Sequence, residues 1–376
     1  MMEINFMNRR QFLINIIAGS TGLATNQFSW ANSTPPLLVS AYKDRTNHYG
    51  VAGFLPTSNQ PLWQLPLPAR AHAISSHSVK PLIAVFDRRP GQRVHIVDWQ
   101  QGKLIATIKA TANRHFYGHG VFSQDGKQLF CSENNWQQGT GVIGIYDTQR
   151  FTRLGEMASG GIGPHELVLH PNGNTLVVAN GGILTRPESG RKKLNLDAMA
   201  PNLSHINIKT GELVDQQTFV HHQLSIRHLA ISQRGQVVAG MQYQGDQSDI
   251  EPLVASQIAQ GSPLKSMASD ELAWLQMNQY TASVCILDHA DTVIVTCPRA
   301  NRVISWQLST RKLKSSLNVS DAAGVVATAL DQCAITTGLG QLHIMQCQQG
   351  SLSPLSLQRF SHLAWDNHLA TAKAQT

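Results

Sequence analysis

One phrase recurs along this chain and narrows its fold more than any other feature. At its clearest it reads His119-Gly-Val-Phe-Ser-Gln-Asp-Gly-Lys-Gln-Leu-Phe-Cys-Ser-Glu133. It returns as His165-Glu-Leu-Val-Leu-His-Pro-Asn-Gly-Asn-Thr-Leu-Val-Val-Ala-Asn180 and as His228-Leu-Ala-Ile-Ser-Gln-Arg-Gly-Gln-Val-Val-Ala-Gly240. Each copy has a polar opening, a short apolar run, a Gly-containing turn and a second apolar run. Two β-prone runs split by such a turn predict a hairpin. A hairpin returning every roughly 40–50 residues predicts an all-β chain folded as a propeller.

The length of 376 residues would otherwise suggest two or three domains, but a closed propeller of this size is one. Hydrophobic residues make up 42% of the chain, enough for a substantial core. No internal apolar stretch reaches the ~18–20 residues of a membrane span. The net charge of +7 is spread out, without the dense Lys/Arg block of a nucleic-acid binder. The five cysteines are scattered without a CxxC pair, which is neither zinc spacing nor a disulfide framework. They are expected as small buried strand residues. Cys333 and Cys347 flank one hairpin but fall diagonally across it, so no bridge is expected.

Residues 1–31 read as an address. Asn8-Arg-Arg-Gln-Phe-Leu13 resembles a twin-arginine export signal, and Ser29-Trp-Ala31 offers small residues for cleavage after Ala31. A periplasmic protein, exported already folded, is the expectation.

The mature chain, residues 32–376, then divides into seven units. The first has three strands, near residues 37–42, 50–55 and 62–65. His362-Leu-Ala-Trp365, turned by Asp366-Asn367, is expected to supply its missing inner strand. Pairing the two ends of the chain in this way leaves no free sheet edge at the seam. Two insertions, at about 181–204 and 245–278, fall between the second and third strands of units four and five. Because strands alternate in direction, those loops emerge on the face where each inner strand begins. Loops on a rigid scaffold commonly carry binding groups.

Five units open with histidine: His72, His119, His165, His228 and His362. Imidazoles converging on the channel mouth would suit iron, copper or zinc. Equally, each histidine can be satisfied locally, as the Gly-His of WD-type repeats is, and Tyr117-Gly-His119 has that form. Arg70 and Arg227 precede two of the histidines, while Glu133, Asn134, Asn180 and Arg299 open second-to-third-strand loops on the same side. These six are the candidate ligand-binding residues. The chain has no Walker loop, no GxSxG elbow and no HExxH pair.

Arg9-Arg10-Gln-Phe12, Tyr117-Gly-His119, Gly163-Pro-His-Glu-Leu167, Ala179-Asn-Gly-Gly182, Leu194-Asn-Leu-Asp197 and His362-Leu-Ala-Trp-Asp366 together resemble a proteobacterial family of twin-arginine-exported seven-bladed propellers. That family is catalogued only as a domain of unknown function. Its members are often encoded beside imelysin-like periplasmic proteins and a di-haem oxidoreductase-like protein. The resemblance implies periplasmic iron handling and imelysin-like partners, and it carries no catalytic residues. The leading reading is a monomeric, non-enzymatic binding propeller for a metal or an iron chelate. Two readings stand beside it: a lactonase- or oxidoreductase-type propeller enzyme, and an interaction scaffold.

Overall fold

The strands of the computed structural model, which describes residues 35–189 and 192–372, form seven four-stranded antiparallel sheets. The leader read in residues 1–31 lies outside the described residues. Residues Pro35–Thr376 make one compact unit. The innermost strands are Leu363–Ala372, Ala71–Ser76, Arg114–Phe122, Pro164–Leu169, Leu224–Ile231, Ser283–Leu287 and Ala322–Ala329, for blades one to seven in that order. Each touches the innermost strand of the next blade, and the last touches the first, so they line a closed ring.

Burial explains why each blade reads as it does. The second strand of a blade is covered on both faces by its neighbours. Thr175–Asn180 and Thr292–Cys297 are buried at every position, so they appear as unbroken apolar runs. The outermost strand has one face in water, and Leu313–Asn318 alternates half-buried and exposed accordingly.

The seam is closed as the sequence suggests. Leu363–Ala372 pairs antiparallel with Leu37–Asp44, from Leu37↔Ala372 to Asp44↔Leu363. Trp365 stacks on Phe54 at 4.7 Å and meets Phe360 edge-on at 5.0 Å. The strand is longer than expected, however. Asp366 and Asn367 do not turn the chain; they lie inside the strand at a break in its register.

Blade five departs most from expectation. Its third and fourth strands, Val254–Gln257 and Lys265–Ser266, lie within the stretch 245–278 that reads as an insertion. Such short strands carry little periodic signal. The same stretch holds a short helix, Glu271–Leu275, started by Asp270, whose carboxylate accepts from the Ala273 amide at 2.8 Å. Trp274 from this helix packs with Leu264, Met267, Met277 and Trp306 in the largest core cluster. All five cysteines are buried and free, and Cys333 pairs with Met345, which leaves Cys347 on the diagonal.

Candidate functional site

The candidate site is built at breaks in the innermost strands. In blade two the ladder is broken between Ala71 and Ile74, and His72 lies in the gap. His119 lies between Phe116 and Gly120, and His165 between Pro164 and Leu167. In blade five Arg227 is the extra residue before His228. In blade one the break between Trp365 and Leu369 contains Asp366, Asn367 and His368. A bulge releases a residue from the ladder and re-aims its side chain. Here breaks of differing length on five blades fall at or directly beside five histidines whose imidazoles gather in one place, and His228 keeps its pairing with Gly240.

The resulting cluster is tight. Ring centroids stand 4.5 Å apart for His72–His368, 4.6 Å for His119–His165, 4.7 Å for His119–His368 and 4.9 Å for His165–His228. His72 and His119 approach to 5.0 Å. Gly118 permits that approach: its φ is +100°, and a Cβ there would lie 2.9 Å from the His72 ring. The Gly-His pair thus lets one histidine meet the next, with His119 Nδ1 3.9 Å from Glu166.

His362 is a correction. It is exposed in the turn before Leu363–Ala372, and His368 takes the fifth place. The tripeptide His-Leu-Ala occurs at both 362 and 368, and only the second falls at the bulge.

Two carboxylates support the cluster from outside. The His72 Nδ1–H donates to Asp366 at 3.2 Å, and the His228 Nδ1–H donates to Glu166 at 3.2 Å. Asp366 also accepts from Arg70. Burial pushes the Asp366 carboxyl up, but His72 and Arg70 outweigh it and hold the group well below the carboxylate range. Burial pushes His72 down to about 4, and sends His119, His165 and His368 well below their ordinary value. These imidazoles are therefore neutral at pH 7, with lone pairs available. His119 Nε2, His165 Nδ1 and His368 Nε2 are buried without a hydrogen-bond partner among the described residues, a costly state unless something occupies the site.

A metal fits this donor set. Nitrogens of His72, His119 and His368 lie within 4.8 Å of one another, as do those of His119, His165 and His228. Tetrahedral zinc, with Zn–N near 2.0–2.1 Å, needs a nitrogen separation of roughly 3.4 Å. The 4.8 Å is an outer limit, and binding would require the rings to turn toward the ion. Asp366 on His72 and Glu166 on His228 are the carboxylate–histidine supports that fix ligand orientation in metal sites.

Above the cluster opens a pocket of about 270 Å³. Its walls include Arg88, Arg89, Lys193, Arg227 and Arg299, and no carboxylate among the described residues. Arg299 lies 4.2 Å over the Tyr280 ring, and Arg89 lies 5.5 Å over Tyr117. Arg227 is 6% exposed and its Nε has no hydrogen-bond partner among the described residues. Burial, and then the nearby Arg89 charge, lower its guanidinium to about 10.

Of the six ligand-binding candidates, Arg227 and Arg299 line this pocket, and Arg70 reaches the cluster through Asp366. The other three are engaged elsewhere. Glu133 is bound by Arg153 Nη1 at 2.8 and 2.9 Å and by the Tyr146 hydroxyl at 2.6 Å. Asn134 donates to the Thr185 carbonyl at 3.1 Å, tying down the insertion. Asn180 donates to the Ser159 carbonyl at 2.8 Å and accepts from the Ser159 hydroxyl at 2.8 Å. Removing one partner from the Glu133 pair strands a buried charge. Arg153→Met is expected to cost about 3–5 kcal/mol in urea unfolding. A loss below about 1 kcal/mol, the level of an exposed ion pair, would show that the pair is not structural.

Sequence reasoning missed His368, Arg88 and Arg89. The two arginines directly follow the second strand of blade two, Leu82–Asp87, at the head of a second-to-third-strand loop, so a signal for them was present. Lys193 belongs to the basic insertion, which reaches the pocket.

Residues 65–372 match the family model described as "Protein of unknown function (DUF1513)". None of the curated proteins matches the chain. Among solved structures, one titled "Crystal Structure of Mitotic Checkpoint Complex" is similar at 13% identity and a TM-score of 0.57, covering 90% of this chain and 86% of that one. At that identity the likeness is one of fold alone. The family match, which spans most of the chain and all five clustered histidines, makes this protein a β-propeller member of the DUF1513 family.

Proposed function

We propose that this propeller is a binding protein that takes a transition-metal ion at the five-histidine cluster. One observation carries the reading: five imidazoles from five blades meet at one point, with three of their nitrogens buried and unpartnered. An all-imidazole donor set suits zinc, copper or iron and disfavours magnesium or calcium. The support is also negative for the enzyme alternative. A lactonase-type centre needs Asp, Glu and Asn gathered near the axis; Glu133, Asn134 and Asn180 are tied up within and between blades, and Glu166 alone of that candidate set reaches the cluster, where it accepts from His228. Export by the twin-arginine pathway, a periplasmic location and a place in iron handling beside imelysin-like proteins belong to the same proposal. They rest on residues 8–13 and on the family resemblance.

His119 belongs to both groups of three histidines, so one substitution tests both. The chain, purified from periplasm without chelator, is expected to carry near-stoichiometric iron, copper or zinc by mass spectrometry. His119→Ala is expected to lose it while keeping its β-sheet circular dichroism. Absence of metal from the folded wild type, even after incubation with excess of each ion, would sink the reading.

A further inference from the structure

The donors of the cluster are uniform, and that bears on which ion can enter. Among the described residues both groups of three consist of imidazole alone, without a carboxylate or thiolate. A neutral imidazole brings a lone pair but no charge. The two acids beside the rings are engaged and offset. Asp366 accepts from His72 and from Arg70, so a guanidinium matches its charge. Glu166 accepts from the His228 ring at 3.2 Å and from the Leu229 amide at 3.1 Å. Arg227, the residue before His228 at the register break, offsets Glu166 in sum though not in contact. Its side chain is buried, its Nε has no hydrogen-bond partner and no carboxylate pairs with it among the described residues. It shares a wall with His72, His165 and His228. Burial first, then His119 and the Arg227 charge, hold His165 low, so the guanidinium is felt at the imidazoles.

We propose that the cluster selects by oxidation state: of a metal with two accessible states it binds the lower-charged one, ferrous iron rather than ferric. This selectivity rests on the reading of the cluster as a metal site. Neither the imidazoles nor the offset acids compensate an entering ion. The gain from neutral donors rises in proportion to the ion's charge, whereas the cost of taking it out of water rises with the square of that charge. A trivalent ion is therefore penalised most. Arg227 and Glu166 adjust the preference from opposite sides. The guanidinium repels every cation, and repels a trivalent one more than a divalent one. Glu166, acting through His228, draws a cation in. An unpaired charge kept beside a site costs some affinity for the wanted ion and more for the unwanted one, and specificity is that difference.

The test uses the full mature chain, stripped of metal by chelator and dialysis. It is reloaded under nitrogen with ferrous ammonium sulfate or with zinc sulfate, zinc having no second state. Each sample is treated with ferricyanide, which takes one electron from ferrous iron and becomes ferrocyanide, and is then desalted. Iron left with the protein is expected to fall ten-fold or more upon oxidation, while zinc stays. Arg227→Met is expected to bind ferrous iron ten-fold or more tightly in calorimetric titration, and to keep more of its iron after oxidation. Glu166→Gln, which preserves size and an acceptor oxygen, is expected to bind ferrous iron ten-fold or more weakly.

The opposite signs are decisive, because a merely structural arginine would lose affinity on removal, as a structural glutamate would. Arg227→Gln, a smaller change, takes the place of Arg227→Met should that variant fail to fold. Iron retained in full through oxidation, both variants shifted in the same direction, or a chain that holds zinc but neither state of iron would overturn the selectivity and leave the metal site standing. A chain that holds no metal of any kind would remove both.

Discussion

A chain lacking residues 361–376 is expected not to reach the native state at all. The strand Leu363–Ala372 is the innermost strand of blade one, and its loss leaves Leu37–Asp44 with an open edge along its whole length. It also removes Trp365 from its stack on Phe54 and Phe360, and contacts with the innermost strands of blades two and seven. Trp365→Ala alone is expected to cost about 3–5 kcal/mol, the usual range for emptying a buried aromatic site. That is a large part of the ~5–15 kcal/mol by which domains are stable. Circular dichroism and urea unfolding measure both changes. A truncated chain that melts as high and as cooperatively as the intact one would refute the closure.

The second large effect is acid lability of the metal-free protein. In the unfolded chain a histidine takes up its proton near pH 6.5. In the folded chain burial holds His72 and His115 down to about 4, with Arg89 adding to the effect at His115. Below pH 6.5 the unfolded state therefore binds protons that the folded state refuses, so stability falls as pH falls. The slope is about 1.4 kcal/mol per pH unit for each such histidine. Between pH 6.5 and 4, His72 and His115 together account for roughly 5 kcal/mol. His119, His165 and His368, also held low by burial, act in the same direction. Asp366 does not compensate, because its depressed carboxyl stays ionised throughout this window. Melting temperature is expected to be flat above pH 7 and to fall steeply below pH 6. A flat profile down to pH 4.5 would mean that these histidines are protonated in the folded state.

The repeat made the architecture legible, because each hairpin carries its own turn chemistry and needs no distant information. Ring closure was legible for a related reason: an incomplete first blade and a spare strand at the other end have one economical solution. What failed was whatever depended on the partner strand. His362 and His368 open identical tripeptides, and only pairing against Leu37–Asp44 decides which sits at the bulge. Glu133 reads as a loop-opening acid, yet Arg153 claims it from the far strand of the same blade. Blade five was obscured because a four-residue and a two-residue strand barely establish a period.

The seam has a consequence for when the candidate site comes into being. His368 and Asp366 lie on the last strand, whereas His72, which both of them touch, comes some 290 residues earlier (His72 and Asp366 are 294 apart). A growing chain can assemble hairpin after hairpin and still lack one wall of its histidine chamber. That wall is delivered only when the final strand docks. Occupancy of the chamber would then report that the ring is shut, so a molecule whose seam is still open has nowhere to hold its cargo.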